Sequence, residues 1–180
     1  MQASALSQRF LQGSTFHLEK LSVDHISDKY LSWLNDPVVC KENSHAIFPL
    51  SESDLTKYIE STSPNSIHFA IIDHRYDHIG NSSISDINWV NRSCDINILI
   101  GNRASWGKGI GYEVCKILRD YAFTRLNLRR VKMGMTASNK AMNRIAKNLG
   151  MKQEGVFKDA LFKDGQYVDI VQYATIRSDE

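Results

Sequence analysis

The sequence predicts a single domain of mixed α/β (α+β) class, in which an antiparallel meander precedes one strand, helix, strand crossover. Three observations support this prediction. The chain has 180 residues, the size of one ordinary domain. Hydrophobic residues alternate with period two in several short segments and recur at helical spacing in others. No linker interrupts these segments between residues 15 and 176, whereas residues 1–14 are predicted to be a polar N-terminal tail.

The composition excludes several classes of protein. Hydrophobic residues make up 42% of the chain and charged residues 23%, as in globular domains. The net charge of +2 is too small to make nucleic acid the main partner. No apolar segment reaches the roughly 18 residues of a spanning helix, and the first residues do not resemble a secretory signal. We therefore expect a cytoplasmic protein with no membrane partner, whose widely spaced cysteines are buried reduced thiols: Cys40, Cys94 and Cys115.

The first elements are a strand and two helices. Alternating polarity over Thr15–Leu21 predicts the strand. Apolar residues at helical spacing between Asp24 and Asn35 predict the first helix, which Pro37 ends. Ser51 followed three residues later by Asp54 is a favourable N-cap, so a second helix is expected from there.

Three strand-like segments follow the second helix. They are Ile67–Asp73, Ile79–Ile87 and Cys94–Ile100, and polar turns separate them. Short strands joined by such turns favour an antiparallel meander. In the third strand one face is apolar, while Asp95 and Asn97 share the opposite face.

The second half of the chain alternates helices and strands. Helical periodicity that begins at Ile110 and ends near Arg125 predicts the longest helix. Asp164-Gly165 is a favourable two-residue hairpin turn. The other predicted elements are a strand at Leu128–Thr136, a helix at Asn139–Leu149, and two final strands at about Lys152–Leu161 and Tyr167–Ile176.

The segment that carries chemistry is ILIGNRASWGKGIGYE, at residues 98–113, where a strand enters a glycine-rich turn and then a helix. Gly107, Gly109 and Gly111 let the backbone approach a ligand closely. The first amides of the helix lack intrahelical acceptors and lie at the positive end of its dipole, so this turn is predicted to bind an anion. The glycine spacing excludes a dinucleotide fingerprint and a nucleotide P-loop. A tight turn without a ligand is the alternative.

The sequence W-G-K-G-I-G at residues 106–111, the long helix after it, and S-N-K-A-M-N-R-I-A-K-N-L-G-M at residues 138–151 resemble the GNAT superfamily of acetyl-CoA-dependent N-acyltransferases. The likeness is greatest to its RimJ/RimL branch and extends over about residues 15–176. In the superfamily pattern, Trp106 holds the place of Gln or Arg, and Gly109 and Gly111 match the two later positions. The resemblance implies a GNAT-like mixed, largely antiparallel sheet with a central V-shaped splay and flanking helices.

The resemblance also implies a cosubstrate and its site. Acetyl-CoA would place its pyrophosphate on the turn, and its pantetheine arm beside the strand that ends at Ile100. A backbone N–H of Leu99 or Ile100 would stabilise the oxyanion. Asn139 would contact the pantetheine region, although it is equally a good helix cap. The implied cofactor-binding residues are Leu99, Ile100, Trp106, Gly107, Lys108, Gly109, Ile110, Gly111 and Asn139.

The sequence identifies fewer catalytic residues than cosubstrate-binding residues. Asp95 aligns with an acidic residue that many relatives use as a base, so the hypothesis is that Asp95 takes the amine proton through water. A hydrogen bond across the sheet is the alternative role. The general-acid tyrosine of many members is replaced by Ala146, and a serine common in the branch by Met142. Tyr167, Tyr173 or solvent could protonate the leaving thiolate.

The implied reaction is direct attack on acetyl-CoA, in a ternary complex, by a primary amine of a small metabolite or a nucleotide-linked amino sugar. The alternatives are a protein N-terminus, as in ribosomal-protein acetyltransferases, and a catalytically silent acyl-CoA-binding module. Trp33, Asn35 and Asn97 are expected to contact the substrate, with Trp33 equally suited to the core, and a homodimer is compatible with the sequence. No metal is expected, because one group of candidate ligands falls in a predicted polar turn: Asp73, His74, Asp77 and His78.

Overall fold

A computed structural model describes residues 9–43, 45–61, 63–75 and 77–178. Within them, eight strands form one sheet in the order β1-β2-β3-β4-β5-β6-β8-β7. The class is mixed α/β with a largely antiparallel sheet, as predicted. The strands are β1 (Leu11–Gln12), β2 (Phe16–Lys20), β3 (Ile67–Asp73), β4 (His78–Asn88), β5 (Ser93–Ile100), β6 (Arg130–Thr136), β7 (Lys152–Lys163) and β8 (Gln166–Ile176).

Two of the described α-helices begin at caps that the sequence predicts. Ser51 and Asp54 form a capping box at the second helix, and the Asn139 side chain accepts a hydrogen bond of 3.0 Å from the Met142 amide. The first helix starts later than predicted, because Ser27 caps it after a short 3₁₀ turn. The helices are α1 (Asp28–Leu34), α2 (Glu52–Glu60), α3 (Ile110–Thr124) and α4 (Lys140–Asn148).

Strands β3, β4 and β5 form the predicted antiparallel meander. Its register places His68 opposite Ser83 and Ser83 opposite Asn97. Directly paired residues point to the same face of a sheet, so these three polar side chains form a row across the meander.

The sheet splays between β5 and β6. These strands run parallel and pair only over Ser93–Asp95 and Arg130–Lys132, so they diverge from Ile96 onward. On its other side β6 remains paired with β8 along its whole length. The central V-shaped splay implied by the resemblance is therefore present, with β5 and β6 as its two arms.

Two apolar clusters cover the two faces of the sheet. One includes residues of α3 and α4, and the other residues of α1 and α2. The three cysteines are free and buried, as predicted. Burial raises the pKa of Cys94 and of Cys115 to about 12, so both stay protonated at neutral pH and are unsuited to nucleophilic catalysis.

The fold begins before the predicted boundary at residue 15. Strand β1 pairs with β2, and the Phe10 ring lies 6.1 Å from that of Phe69 and 5.5 Å from that of Tyr121. The polar residues around Phe10 conceal this packing in the sequence. Residues 1–8 of the predicted tail lie outside the described residues. Among the described helices, none has the length and apolar character needed to cross a membrane.

Candidate active site

The splay opens onto a cavity of about 520 Å³. One side is formed by the diverging strands and the start of α4, and the other by α2 and by the loop between α1 and α2. A cavity at a point where strands separate lets a ligand approach the backbone of β5. The lining on the splay side includes Ile98, Leu99, Gly134, Met135, Asn139 and Met142.

The glycine-rich turn lies between β5 and α3. Gly107 has φ = 73° and Gly109 has φ = 81°, a left-handed conformation that favours glycine. A Cβ atom built at either position would meet no atom within 4 Å. The backbone at this turn is therefore open to a ligand. By contrast, a Cβ at Gly111 would lie 3.3 Å from the side chain of Ile145, so Gly111 serves the packing of α3 against α4.

The amides of this turn are free to bind a ligand. In α3 the first amide with a backbone acceptor is that of Glu113, which donates to the Gly109 carbonyl at 3.1 Å. Within the described part of the chain, the N–H groups of residues 107–112 have no hydrogen-bond acceptor. These include the backbone amides of Lys108 and Ile110. Unpaired amides at a helix N-terminus suit an anion, and anion binding at this turn stays a prediction.

Trp106 connects this turn to β5. Its indole Nε1 donates a hydrogen bond of 2.7 Å to the Ile100 carbonyl, while the side chain remains 44% exposed. The bond fixes the start of the turn against the end of the strand at the splay.

One wall of the cavity is formed by uncharged polar side chains of β3, β4 and β5. The Asn97 amide donates to Ser85 Oγ at 2.8 Å, and Ser83 lies beside this pair. The Tyr58 hydroxyl and His68 Nδ1 are 3.1 Å apart, and both residues line the cavity. Burial lowers the pKa of His68, so its imidazole is neutral at pH 7.

Asp95 does not line this cavity. Its carboxylate forms an ion pair of 2.9 Å with Lys132 Nζ, at the closed end of the splay where β5 and β6 still pair. Asp95 shares its strand face with Asn97, but only Asn97 belongs to the lining.

Trp33 and Asn35 also lie outside the lining. Trp33 is 6% exposed, and a Cβ at Gly101 would lie 2.0 Å from its ring, so it packs in the core. The Asn35 side chain donates to the Leu50 carbonyl at 2.9 Å and accepts from the Leu50 amide at 2.8 Å. Asn35 therefore acts on the site indirectly, by holding the end of the loop between α1 and α2.

The tyrosines considered as thiolate acids are also absent from the lining. Tyr173 is 2% exposed and donates to Asn143 Oδ1 at 3.0 Å, whereas Tyr167 is 65% exposed on the β7–β8 hairpin.

Glu42 is a cavity residue that the sequence analysis missed. It lies in the loop between α1 and α2, and its Oε2 accepts hydrogen bonds from Thr136 Oγ1 at 2.5 Å and Ser138 Oγ at 3.1 Å. The same loop is held by Lys163, whose Nζ donates to the carbonyls of Cys40 and Asn43, each at 2.8 Å. A carboxylate is thereby fixed beside the splay.

The chain matches the profile of the acetyltransferase (GNAT) domain over residues 16–152. It is 31% identical over 98 residues to YdaF of Bacillus subtilis, provisionally named a ribosomal N-acetyltransferase. That match covers 54% of this chain and 53% of YdaF, so it spans about half the length of that relative.

Solved structures with this fold include two acetyltransferases. Spermidine N-acetyltransferase from Vibrio cholerae, in complex with CoA and spermine, is 21% identical with a TM-score of 0.82, over 91% of this chain and 96% of that one. RimL, a ribosomal L7/L12 α-N-protein acetyltransferase in complex with coenzyme A, is 20% identical with a TM-score of 0.83, over 91% of this chain and 95% of that one.

Proposed function

The chain belongs to the GNAT acetyltransferase domain family, and from that premise we propose that it transfers the acetyl group of acetyl-CoA to a primary amine of a small molecule. The observation that carries this proposal is the row of unpaired amides after Trp106, at the start of α3 and beside the open splay. An anion gains from the helix dipole there by about 0.3–1 kcal/mol, and several amides add direct hydrogen bonds.

The residues around the splay suit acetyl-CoA. The amides of Gly107, Lys108, Gly109, Ile110 and Gly111 would hold the pyrophosphate, with the open space at Gly107 and Gly109 giving it room. The bound thioester supplies an activated acetyl group. The exposed backbone edge of β5 beyond the splay point would pair with the pantetheine arm. Asn139 lines the same cavity and already caps α4 through its Oδ1, so its amide nitrogen would be the group that contacts the cosubstrate.

Three effects would accelerate the reaction. Aligning amine and thioester removes most of the entropic cost of their encounter. A backbone N–H of Leu99 or Ile100 would stabilise the oxyanion of the tetrahedral intermediate. Because the buried thiols stay protonated, direct attack by the amine is favoured over an acyl-cysteine intermediate.

The cavity favours a small cationic amine as acceptor. Its described lining contains the carboxylates of Glu42 and Asp54 and neither lysine nor arginine. A nucleotide-linked amino sugar carries a diphosphate, which this lining would not neutralise. The neutral wall around Asn97 would hydrogen-bond an acceptor that also carries hydroxyl or amide groups. Acetylation of a protein N-terminus is the second candidate, favoured by the similarity to YdaF.

The proton acceptor inferred from the resemblance, Asp95, remains a hypothesis. Its ion pair with Lys132 favours a structural role, because the carboxylate is already bound by an ammonium group at the closed end of the splay. An Asp95→Asn variant separates the two roles. If Asp95 is structural, the variant should retain kcat/KM for the amine between pH 6 and 9.

The proposed function is tested by mixing the protein with acetyl-CoA and a panel of amines and following free thiol release. The panel comprises spermidine, glucosamine, a nucleotide-linked amino sugar and a short peptide with a free N-terminus. Amine-dependent thiol release supports the proposal, and the preferred amine identifies the acceptor class. Binding of CoA in calorimetry without thiol release would support the silent acyl-CoA-binding module. Absence of CoA binding would defeat both assignments.

A further inference from the structure

The two carboxylates that line the cavity differ in whether they are free to contact a ligand. Asp54 Oδ2 accepts hydrogen bonds from the Ser51 amide at 3.0 Å and the Ser51 hydroxyl at 2.6 Å, which commits this carboxylate to the start of α2. Glu42 instead projects from an irregular loop toward the splay. Among the described lining residues, Glu42 is therefore the carboxylate that lies beside the arm of the splay formed by β6.

The Glu42 carboxylate is oriented by one of its two oxygens. Both hydrogen bonds, from Thr136 and from Ser138, reach Oε2. Within the described residues Oε1 has no hydrogen-bond partner. Thr136 is 2% exposed and ends β6, and Ser138 directly precedes the cap of α4, so both donors are fixed by regular structure. The arrangement leaves one carboxylate oxygen available to a ligand in the cavity.

We propose that Glu42 is the acceptor-binding carboxylate of this site, and that it also receives a proton from the bound ammonium group before the carbon–nitrogen bond forms. This inference rests on the proposed acetyl transfer and names the group that recognises the amine. It assigns a catalytic role to a residue 53 positions before Asp95 in the chain, on a different element. The proposed acceptor is a primary alkylammonium ion, because the free oxygen of a carboxylate attracts a cation and the described lining contains no lysine or arginine.

The proposed step balances in atoms and charge. The amine arrives as R–NH₃⁺ and gives one proton to Glu42 through its free oxygen or a bridging water. The nitrogen lone pair then forms a bond to the acetyl carbon, and the carbon–sulfur bond breaks with its electron pair on sulfur. The nitrogen loses a second proton, which neutralises the thiolate through solvent, and Glu42 releases its own proton to water. The sum is R–NH₃⁺ + CH₃CO–SCoA → R–NH–COCH₃ + HSCoA + H⁺.

Asp95 and His68 are less suited to this role. Asp95 is paired with Lys132 and lies outside the lining. His68 is within 3.1 Å of the Tyr58 hydroxyl through Nδ1, and it lies on β3, two strands away from the edge of β5 that borders the splay. Neighbouring strands are about 4.8 Å apart, so the imidazole is placed to line the far end of the acceptor cavity.

The experiment compares Glu42→Gln with the wild type, using whichever amine of the panel releases thiol fastest. Glutamine has the size of glutamate, and its amide oxygen can accept from Thr136 and Ser138, so the loop should keep its position. We expect kcat/KM for the amine to fall about 100-fold or more. The Kd for CoA and the unfolding temperature should remain those of the wild type. Glu60→Gln, which removes an exposed carboxylate at the end of α2, is the matched control and should be fully active.

Two further variants separate catalysis from structure. Thr136→Val removes one donor to Glu42 but keeps the carboxylate, so it should reduce kcat/KM less than Glu42→Gln does. Asp95→Asn measured in parallel should be the more active of the two carboxylate variants. The inference is overturned if Glu42→Gln keeps kcat/KM within about threefold of the wild type, or if its loss of activity is matched by lost CoA binding or lost thermal stability. A wild type without thiol release would instead defeat the proposed function itself.

Discussion

The indole Nε1 of Trp106 lies 2.7 Å from the carbonyl oxygen of Ile100. This hydrogen bond spans six residues and joins the end of β5 to the turn that precedes α3. In the superfamily pattern a glutamine or arginine occupies the place of Trp106. Here the indole is the donor that fixes the turn, and its hydrogen bond occupies the Ile100 carbonyl.

Removing this hydrogen bond should weaken CoA binding. Trp106→Phe keeps an aromatic ring but has no donor, and one such bond is worth about 1 kcal/mol, or roughly fivefold in affinity. We expect the Kd for CoA to rise by about that factor, with little change in the unfolding temperature, because Trp106 is 44% exposed. Calorimetric titration with CoA measures the effect. An unchanged Kd would show that the turn keeps its geometry without the indole.

Substitution of Gly109 should reduce CoA binding more than substitution of Trp106 does. A left-handed backbone costs a residue with a Cβ about 1–2 kcal/mol, and the added methyl would occupy the open space where the pyrophosphate is proposed to lie. We expect Gly109→Ala to show no CoA binding at concentrations that saturate the wild type.

Gly165 provides the matched control for this prediction. Its φ of 82° equals that of Gly109 within a degree, but it lies in the β7–β8 turn. Gly165→Ala should therefore lose a similar amount of stability while binding CoA normally. If both variants bind CoA alike, the turn after Trp106 is not the pyrophosphate site.

The parts of the site that were predicted from sequence are those with local causes. A left-handed glycine at a strand-to-helix turn and an asparagine at a helix start depend on neighbours within a few residues. The same holds for the hairpin turn, where Asp164 has φ = 48° and Gly165 has φ = 82°. The V-shaped splay depends on long-range pairing, and it was inferred from the family resemblance alone.

The residues on the acceptor side of the cavity were not predictable from their neighbours in the sequence. The hydrogen bond between Glu42 and Thr136 joins residues 94 positions apart, from a loop with no hydrophobic period. Trp33 is expected from the family resemblance to contact the substrate or to lie in the core, and its helix turns the ring toward Gly101 and the core. Asn35 faces the neighbouring loop for a similar reason. These contacts depend on how the helix is rotated and on the path of the loop, and local sequence patterns predict neither.

Lys163 should control affinity for the amine without affecting CoA. Its ammonium group, on β7, holds the carbonyls of Cys40 and Asn43, and hydrogen bonds to a charged group are worth about 1.5–3 kcal/mol. Lys163→Met keeps the aliphatic stem and releases the loop that carries Glu42. We expect KM for the amine to rise about tenfold, with the Kd for CoA unchanged.

Lys152→Met, at the exposed start of the same strand, is the control for this substitution. It should leave both constants unchanged. Equal KM values for the two variants in steady-state assays would mean that the loop holds its position without Lys163.

The buried imidazole of His78 should make the fold sensitive to mild acid. Its ring lies 5.1 Å from that of Tyr30 and 5.2 Å from that of Trp33, and its Nε2 donates to the Gly80 carbonyl at 3.0 Å and to Asn81 Oδ1 at 2.9 Å. Burial lowers the pKa of His78 below its ordinary value of 6.5. The neutral ring is thus the form that the native state accommodates.

The direction of the effect follows from proton binding. Between the lowered pKa of the folded state and the ordinary value near 6.5 in the unfolded chain, the unfolded state binds more protons, so stability increases with pH. The wild type should therefore lose free energy of unfolding as the pH falls from 7.5 through 6.5 toward 5.5. His78→Gln keeps an amide donor for Gly80 and Asn81 but does not titrate. Urea unfolding at pH 7.5 and at pH 5.5 should show a smaller loss for this variant, although it is less stable at pH 7.5, and equal losses would assign the acid sensitivity to other groups.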